Sequence, residues 1–195
     1  MKKFFLLAIG FFVMSLCPSL KAEEQIKYSS PDGKFALRIG SQNESGYVAV
    51  GIIELSTLKV LLDLGSLGHP NEKDAKLVWS ADSQRVAFFE PTKRGGLTRV
   101  FFRSGSSFEQ IELPTVPEPK LPKKPPANVS DKSVTFLVEP IRWLESGSLI
   151  IYREDEGDYS GRGALEITIG FDKNHNLSVL RSKKIAPRPI GANNE

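Results

Sequence analysis

Cysteine is nearly absent from this sequence. Of 195 residues only Cys17 is one, so no disulfide framework can be built within the chain. Histidine is scarce too, with His69 and His175 alone and far apart, which argues against a zinc site needing several nitrogen or sulfur donors. Beyond residue 22 no stretch approaches the ~20 apolar residues needed to span a bilayer as a helix. No segment there keeps a helical apolar period for three turns, so helix is not the organising element.

The first residues are of a different kind. Lys2 and Lys3 precede an apolar run from Phe4 to Leu16, and a polar stretch ends at Ala22. This layout predicts a secretory signal over residues 1–22, cut after Ala22, and delivery to the periplasm or outside the cell. Leu20, three residues before that cut, is larger than such sites prefer. A rival reading makes Cys17 a lipid attachment site, but Leu16 before it and Pro18 after it fit poorly. Loss of the segment removes the cysteine and three lysines (Lys2, Lys3, Lys21). The 26 basic and 23 acidic residues of the whole chain then come into balance. A balanced chain points away from nucleic acid and from an anionic membrane surface as partner. What remains suits one domain of ordinary size.

From Gln25 onward, short runs rich in β-branched and aromatic residues alternate with Gly, Pro, Asn, Asp and Ser. In Lys34-Phe35-Ala36-Leu37-Arg38-Ile39 large apolar side chains alternate with small or charged ones, the period of a strand with one buried face. The class is all-β. Three segments superpose: Ile26 to Leu64, Lys76 to Leu113, and Val138 to about Ser182. Each opens with a short strand and a turn, at Tyr28-Ser29-Ser30-Pro31-Asp32-Gly33, Trp79-Ser80-Ala81-Asp82-Ser83 and Trp143-Leu144-Glu145-Ser146-Gly147. Each continues with a stronger strand (Phe35 to Ile39, Arg85 to Phe89, Leu149 to Arg153) and a second hairpin. That predicts three four-stranded antiparallel units. The organisation expected is a signal over 1–22, units 1 and 2 over 23–113, a connector over 114–131, and unit 3 with a tail over 132–195.

Four strands in ~40–50 residues is the signature of propeller blades. Ser30-Pro31-Asp32-Gly33-Lys34 before an apolar strand, and Trp79-Ser80-Ala81-Asp82-Ser83 before another, resemble the repeat of TolB-type β-propellers. Ala81 takes the place of the proline and Ser83 that of the glycine. The resemblance implies blade-like units packed about an axis. The alternative is a β-sandwich that merely uses Asp-Gly turns. Three blades alone leave sheet edges open. Self-capping by the terminal segments, a compact barrel or sandwich, and a homodimer completing a six-bladed ring are the three ways of protecting them.

In such units the turns within hairpins one–two and three–four lie on one face, and the remaining connections lie on the other. The first set is tight. The second is expected to be long, over 41–46, 65–74, 90–96, 114–131 and 154–163, and long loops on a rigid scaffold carry binding residues. Two of them supply the candidate contact residues: Lys93 and Arg94 in one, and Glu154, Asp155, Asp158, Tyr159 and Arg162 in the other. Tyr and Arg are the residue types that anchor interfaces, whereas a charged loop can also serve solubility alone. The stretch 114–131, with six prolines and Lys120, Lys123 and Lys124, is expected to be an extended strap. It serves either as a connector or as a docking segment for an acidic or groove-bearing partner.

Catalytic and metal sets are hard to assemble. His69 and His175 lie in loops and neither belongs to a nucleophile motif. Asp172-Lys173-Asn174-His175-Asn176 begins like a calcium loop, but Leu177 and Lys183 stand where that loop needs Gly and Glu, which favours a hairpin turn. No cofactor is implied. The sequence therefore supports an exported, non-enzymatic binding module that contacts another protein in the cell envelope. An alternative is a periplasmic inhibitor that inserts Tyr159-Ser160-Gly161-Arg162 into a wall-degrading hydrolase such as lysozyme.

Overall fold

The computed structural model describes residues 24–68, 74–123, 133–158 and 160–189. Twelve strands run in three consecutive four-stranded antiparallel meanders. Unit 1 holds β1 (Gln25–Lys27), β2 (Phe35–Gln42), β3 (Tyr47–Glu54) and β4 (Val60–Gly68). Unit 2 holds β5 (Lys76–Trp79), β6 (Arg85–Thr92), β7 (Gly95–Ser104) and β8 (Ser107–Ile111). Unit 3 holds β9 (Ser133–Trp143), β10 (Leu149–Gly157), β11 (Gly161–Phe171) and β12 (Leu177–Ile185). The chain is all-β with the four-strand repeat that the sequence predicts. Its sheets are open and do not close into a propeller ring.

The layering follows from which faces are apolar. One core cluster joins Phe35, Leu37, Val50 and Ile52 of unit 1 to Val86, Phe88 and Phe101 of unit 2. A second joins Ala87 and Val100 of unit 2 to Leu149, Ile151, Ile167 and Ile169 of unit 3. Unit 2 is thus the middle layer and is covered on both sides. That is why β6 reads Val86-Ala87-Phe88-Phe89 without alternation, all four buried. Each fully buried Leu, Ile or Phe contributes about 1.5–3 kcal/mol, which makes the two layer contacts the main source of stability.

The repeated turn is built the same way three times. The N–H of Ser30 bonds the carbonyl of Phe35 (2.8 Å) and Gly33 bonds back to Ser30 (2.9 Å); Ser80 with Arg85 and Ser83 with Ser80 do the same at 2.9 Å each. In unit 3, Leu144 bonds Ser148 (2.8 Å) and Gly147 bonds Leu144 (2.9 Å), a turn one residue shorter. Gly33, Ser83 and Gly147 all have positive φ, of 67°, 58° and 80°. Serine in that conformation is strained by ~1–2 kcal/mol. The strain is offset because the Ser83 hydroxyl accepts the Asp32 N–H of unit 1 at 3.0 Å.

Two tryptophans tie the layers together through one repeated bond. Trp79 Nε1 donates to the carbonyl of Tyr28 at 2.7 Å, and Trp143 Nε1 donates to the carbonyl of Val78 at 2.8 Å. Each indole precedes its own turn, and each acceptor lies two residues before the turn of the preceding unit. Phe35 packs on Trp79 and Phe108, and Arg85, its counterpart in unit 2, sits over Trp143 and Phe171.

Units 2 and 3 also meet edge to edge where Gly95 and Gly96 pair in parallel with Phe136 and Leu137. A Cβ on Gly95 would stand 1.8 Å from the Phe136 carbonyl oxygen, and one on Gly96 would meet the Phe89 ring at 2.4 Å. Arg94-Gly95-Gly96 is therefore a close-approach seam between layers.

Two expected loops are strands instead. Only Lys93 and Arg94 separate β6 from β7, and only residues 158–160 separate β10 from β11. The contrast of short and long loops survives only in the connections between units. The reason is side-chain pairing: Glu154 and Asp155 have arginine partners that let an acidic stretch continue as strand.

Two stability outcomes follow. Trp143→Phe keeps the ring but removes the donor to Val78, and urea unfolding should show a loss of about 1–3 kcal/mol. Gly95→Ala should cost about 2–4 kcal/mol, against about 1–2 kcal/mol for Gly105→Ala, where φ is positive but no atom lies within 4 Å.

Candidate functional site

The candidate residues sit at one end of the sheet formed by units 2 and 3. Pairing sets Gly96, Leu137, Glu154, Ala164 and Ile185 in one row across five strands, and Gly95, Phe136, Asp155 and Gly163 in the next row outward. The β6–β7 turn at Lys93-Arg94 and the β10–β11 turn at residues 158–160 therefore lie at the same end, with β9 between them. Lys93, Arg94 and Asp158 are exposed. Leu97 and Phe136 near the seam are exposed as well. Tyr159 lies outside the described residues, as do His69 and the segment 1–22 with Cys17.

Glu154, Asp155 and Arg162 have a different place. Glu154 and Asp155 are buried in β10, where a carboxylate requires a partner. Asp155 is held by Arg153 through two bonds, at 3.0 and 2.9 Å, and the same guanidinium donates to the Val116 carbonyl at 2.6 Å. Glu154 receives Arg162 Nε at 2.5 Å and the Tyr152 hydroxyl. Tyr152 in turn accepts the Arg188 N–H at 3.0 Å, and the Arg188 guanidinium lies 4.2 Å from the Tyr152 ring centroid. Arg188 and Lys76 both reach Glu139. These groups form a chain of paired charges from β5 across unit 3 to residues 186–189, beside and beneath the exposed hairpin tips.

The proline-rich strap belongs to the same end of the molecule. Leu113 and Val116 pack on the core of unit 3. The Lys123 N–H bonds the Ser160 carbonyl at 3.1 Å. Gly161 and Gly163 leave room for the strap, because an added Cβ would come within 3.2 Å of Pro122 and 3.0 Å of the Lys120 carbonyl. Over residues 114–123 the strap is docked on its own chain; residues 124–131 lie outside the described part. Ser160 is buried and Arg162 is engaged by Glu154, so the Ser160-Gly161-Arg162 segment is part of a packed hairpin and does not project as an inserting loop.

Other candidates resolve into local structure. Asp172 accepts the N–H groups of Asn174 and Asn176 at 2.7 and 2.9 Å and the Asn176 side-chain amide at 2.9 Å, which closes the β11–β12 turn. Those bonds hold its carboxyl below the usual range. His175 in that turn packs on Phe102, with ring centroids 3.9 Å apart. Asp32 and Asp82 lie against burial that works to raise them, yet are held low by the Ser30 and Ser80 hydroxyls and the N–H groups of Lys34 and Gln84. Among the described residues no cluster of three His, Cys, Asp or Glu is placed to hold a metal, and no helix is long and apolar enough to cross a membrane.

Sequence reasoning missed Lys76, Glu139, Tyr152 and Arg188. One signal was present: Glu139 stands in the apolar run Val134 to Ile141, where a lone acid demands a cation. No family model and no curated protein matches the chain.

The Tyr152 pKa is pushed up to about 12 by burial and by its hydrogen bond to Glu154. The folded form thus keeps this proton above pH 10 while the unfolded form loses it. The resulting stability is intact below pH 10 and falls as pH rises from 10 to 12, by about 2–3 kcal/mol. In guanidinium titrations at pH 8 and pH 11 the wild type should lose more stability than Tyr152→Phe. Parallel losses would place the tyrosine's proton elsewhere.

Proposed function

We propose that the chain is an exported binding module of the cell envelope that contacts another protein through the hairpin-tip end of units 2 and 3. The observation that carries this reading is the juxtaposition there of exposed Lys93, Arg94 and Asp158 with exposed Leu97 and Phe136. Apolar anchors bordered by charge are the make-up of a protein contact. Glu154, Asp155 and Arg162 support this surface from within, through the pairs that stiffen the hairpin. The same pairing supports a structural role for these carboxylates, since Glu139, Glu154 and Asp155 each lie against a cation.

A photo-crosslinking residue in place of Arg94 or Asp158 should trap one defined protein in intact cells, and one in place of Lys59, at the far end of unit 1, should not. Lys93→Glu with Phe136→Ser should weaken capture at least about tenfold, or ~1.4 kcal/mol. Equal trapping from all three positions, or capture indifferent to the double change, would sink the assignment.

A further inference from the structure

Units 1 and 3 each bury one face against unit 2 and turn the other outward. On unit 1, pairing places Ile26, Arg38, Gly51 and Asp63 in one outward row. Val60 lies across Gly51, with its Cγ1 3.2 Å from where a Cβ would be. Toward the Ser30 turn this face closes over the fully buried Ala36 and Ile53, but Ile26, Tyr47 and Val60 remain 44%, 49% and 44% exposed. On unit 3, the outward row is Arg142, Ile150, Thr168 and Arg181, and Lys183 ends the next row; Ile150 and Tyr152 in the middle of this face are buried, Tyr152 beneath the Arg188 guanidinium, so the open part is its β12 side. Leu180, in the β12 bulge, is 61% exposed and lies across Gly170, where an added Cβ would come within 2.6 Å of it. Each outward face thus has a glycine notch roofed by an exposed aliphatic side chain.

Their charges are opposite. On the unit 1 face Glu24 is paired with Arg38 at 2.8 Å, which leaves Asp63 as its exposed acid without a cation among the described residues, while Arg142, Arg181 and Lys183 are exposed on the unit 3 face, Lys183 across from Glu166. The chain already joins unit to unit twice in the same sense, each time by an indole reaching back to the preceding layer. The faces left over are the ones the same relation would bring together.

We propose that the outward face of unit 3 receives the outward face of unit 1 from a second copy of this chain, in a head-to-tail contact. Apolar burial of Leu180 against Ile26, Tyr47 and Val60 drives it, and Asp63 opposite Arg181 and Lys183 sets its register. Ser29 stands where the internal joints have Trp79 and Trp143, so this joint lacks the indole bond. It is accordingly weaker than the internal ones and reversible. The contact is distinct from the hairpin-tip surface, and its failure would leave that surface's role intact.

Sedimentation velocity of the full chain, from low to high micromolar, should show a reversible rise in mass. Leu180→Asp and Val60→Asp should each weaken association at least about tenfold, and Lys183→Asp should be rescued by Asp63→Lys in the same chain. Direction is read by disulfide trapping in a Cys17→Ser background: chains carrying Val60→Cys mixed with chains carrying Leu180→Cys should link to each other faster than either links to itself. A monomer at every concentration overturns the proposal, and so does a predominant link between two Leu180→Cys chains.

Discussion

The indole bond between layers is the constraint on which the architecture rests. A four-stranded meander does not by itself say which register its neighbour takes, since apolar packing is non-directional. A tryptophan N–H aimed at one carbonyl selects one register, most strongly at Trp143, whose bond is partly buried and would leave a desolvated donor unpaired in any other. Because the same bond recurs at Tyr28 and Val78, the step from unit 1 to unit 2 is repeated from unit 2 to unit 3. The turn with positive φ, the Asp32 to Ser83 contact and the placement of Arg85 follow from that step.

Much of this was legible in the residues. Alternation in Phe35 to Ile39 and the recurrence of the Ser-x-Asp turn were enough to find all three units and nearly every strand, because period and turn chemistry are local properties. Ser83 looked like a departure from the motif. It is instead the position where a glycine's conformation was kept and a hydroxyl was added for contact with the neighbouring layer. Both tryptophans were visible as turn markers, but their role as donors was not, since the acceptors lie 51 and 65 residues away.

The candidate site was less legible for a related reason. Glu154-Asp155-Glu156 has the composition of a solvated loop, and only the partners Arg153 and Arg162 convert it to strand. The strap over residues 114–123 has the composition of a free spacer, and only the bare backbone at Gly161 and Gly163 shows why it lies down. Charge pairing and glycine clearance are tertiary facts. They are invisible to periodicity, yet here they decide which residues lie at the surface and which hold the hairpin together. Lys93 and Arg94 could be read as surface residues because they occupy a two-residue turn whose side chains are exposed, although the Arg94 carbonyl accepts the Phe136 N–H at 3.2 Å.

The middle layer's lack of a solvent face also bears on synthesis. In N-to-C order unit 2 emerges with unit 1 already able to cover Phe88 and Phe101, but the strands that cover Ala87 and Val100 come later in the chain. At roughly 5–20 residues per second, that side of the sheet stays bare for several seconds, with Gly95 and Gly96 offering an unpaired, side-chain-free backbone beside it. A nascent chain with such an opening is suited to grip by a chaperone and exposed to mispairing with another copy. The proline-rich strap, by lengthening the interval before unit 3 emerges, lengthens that exposure.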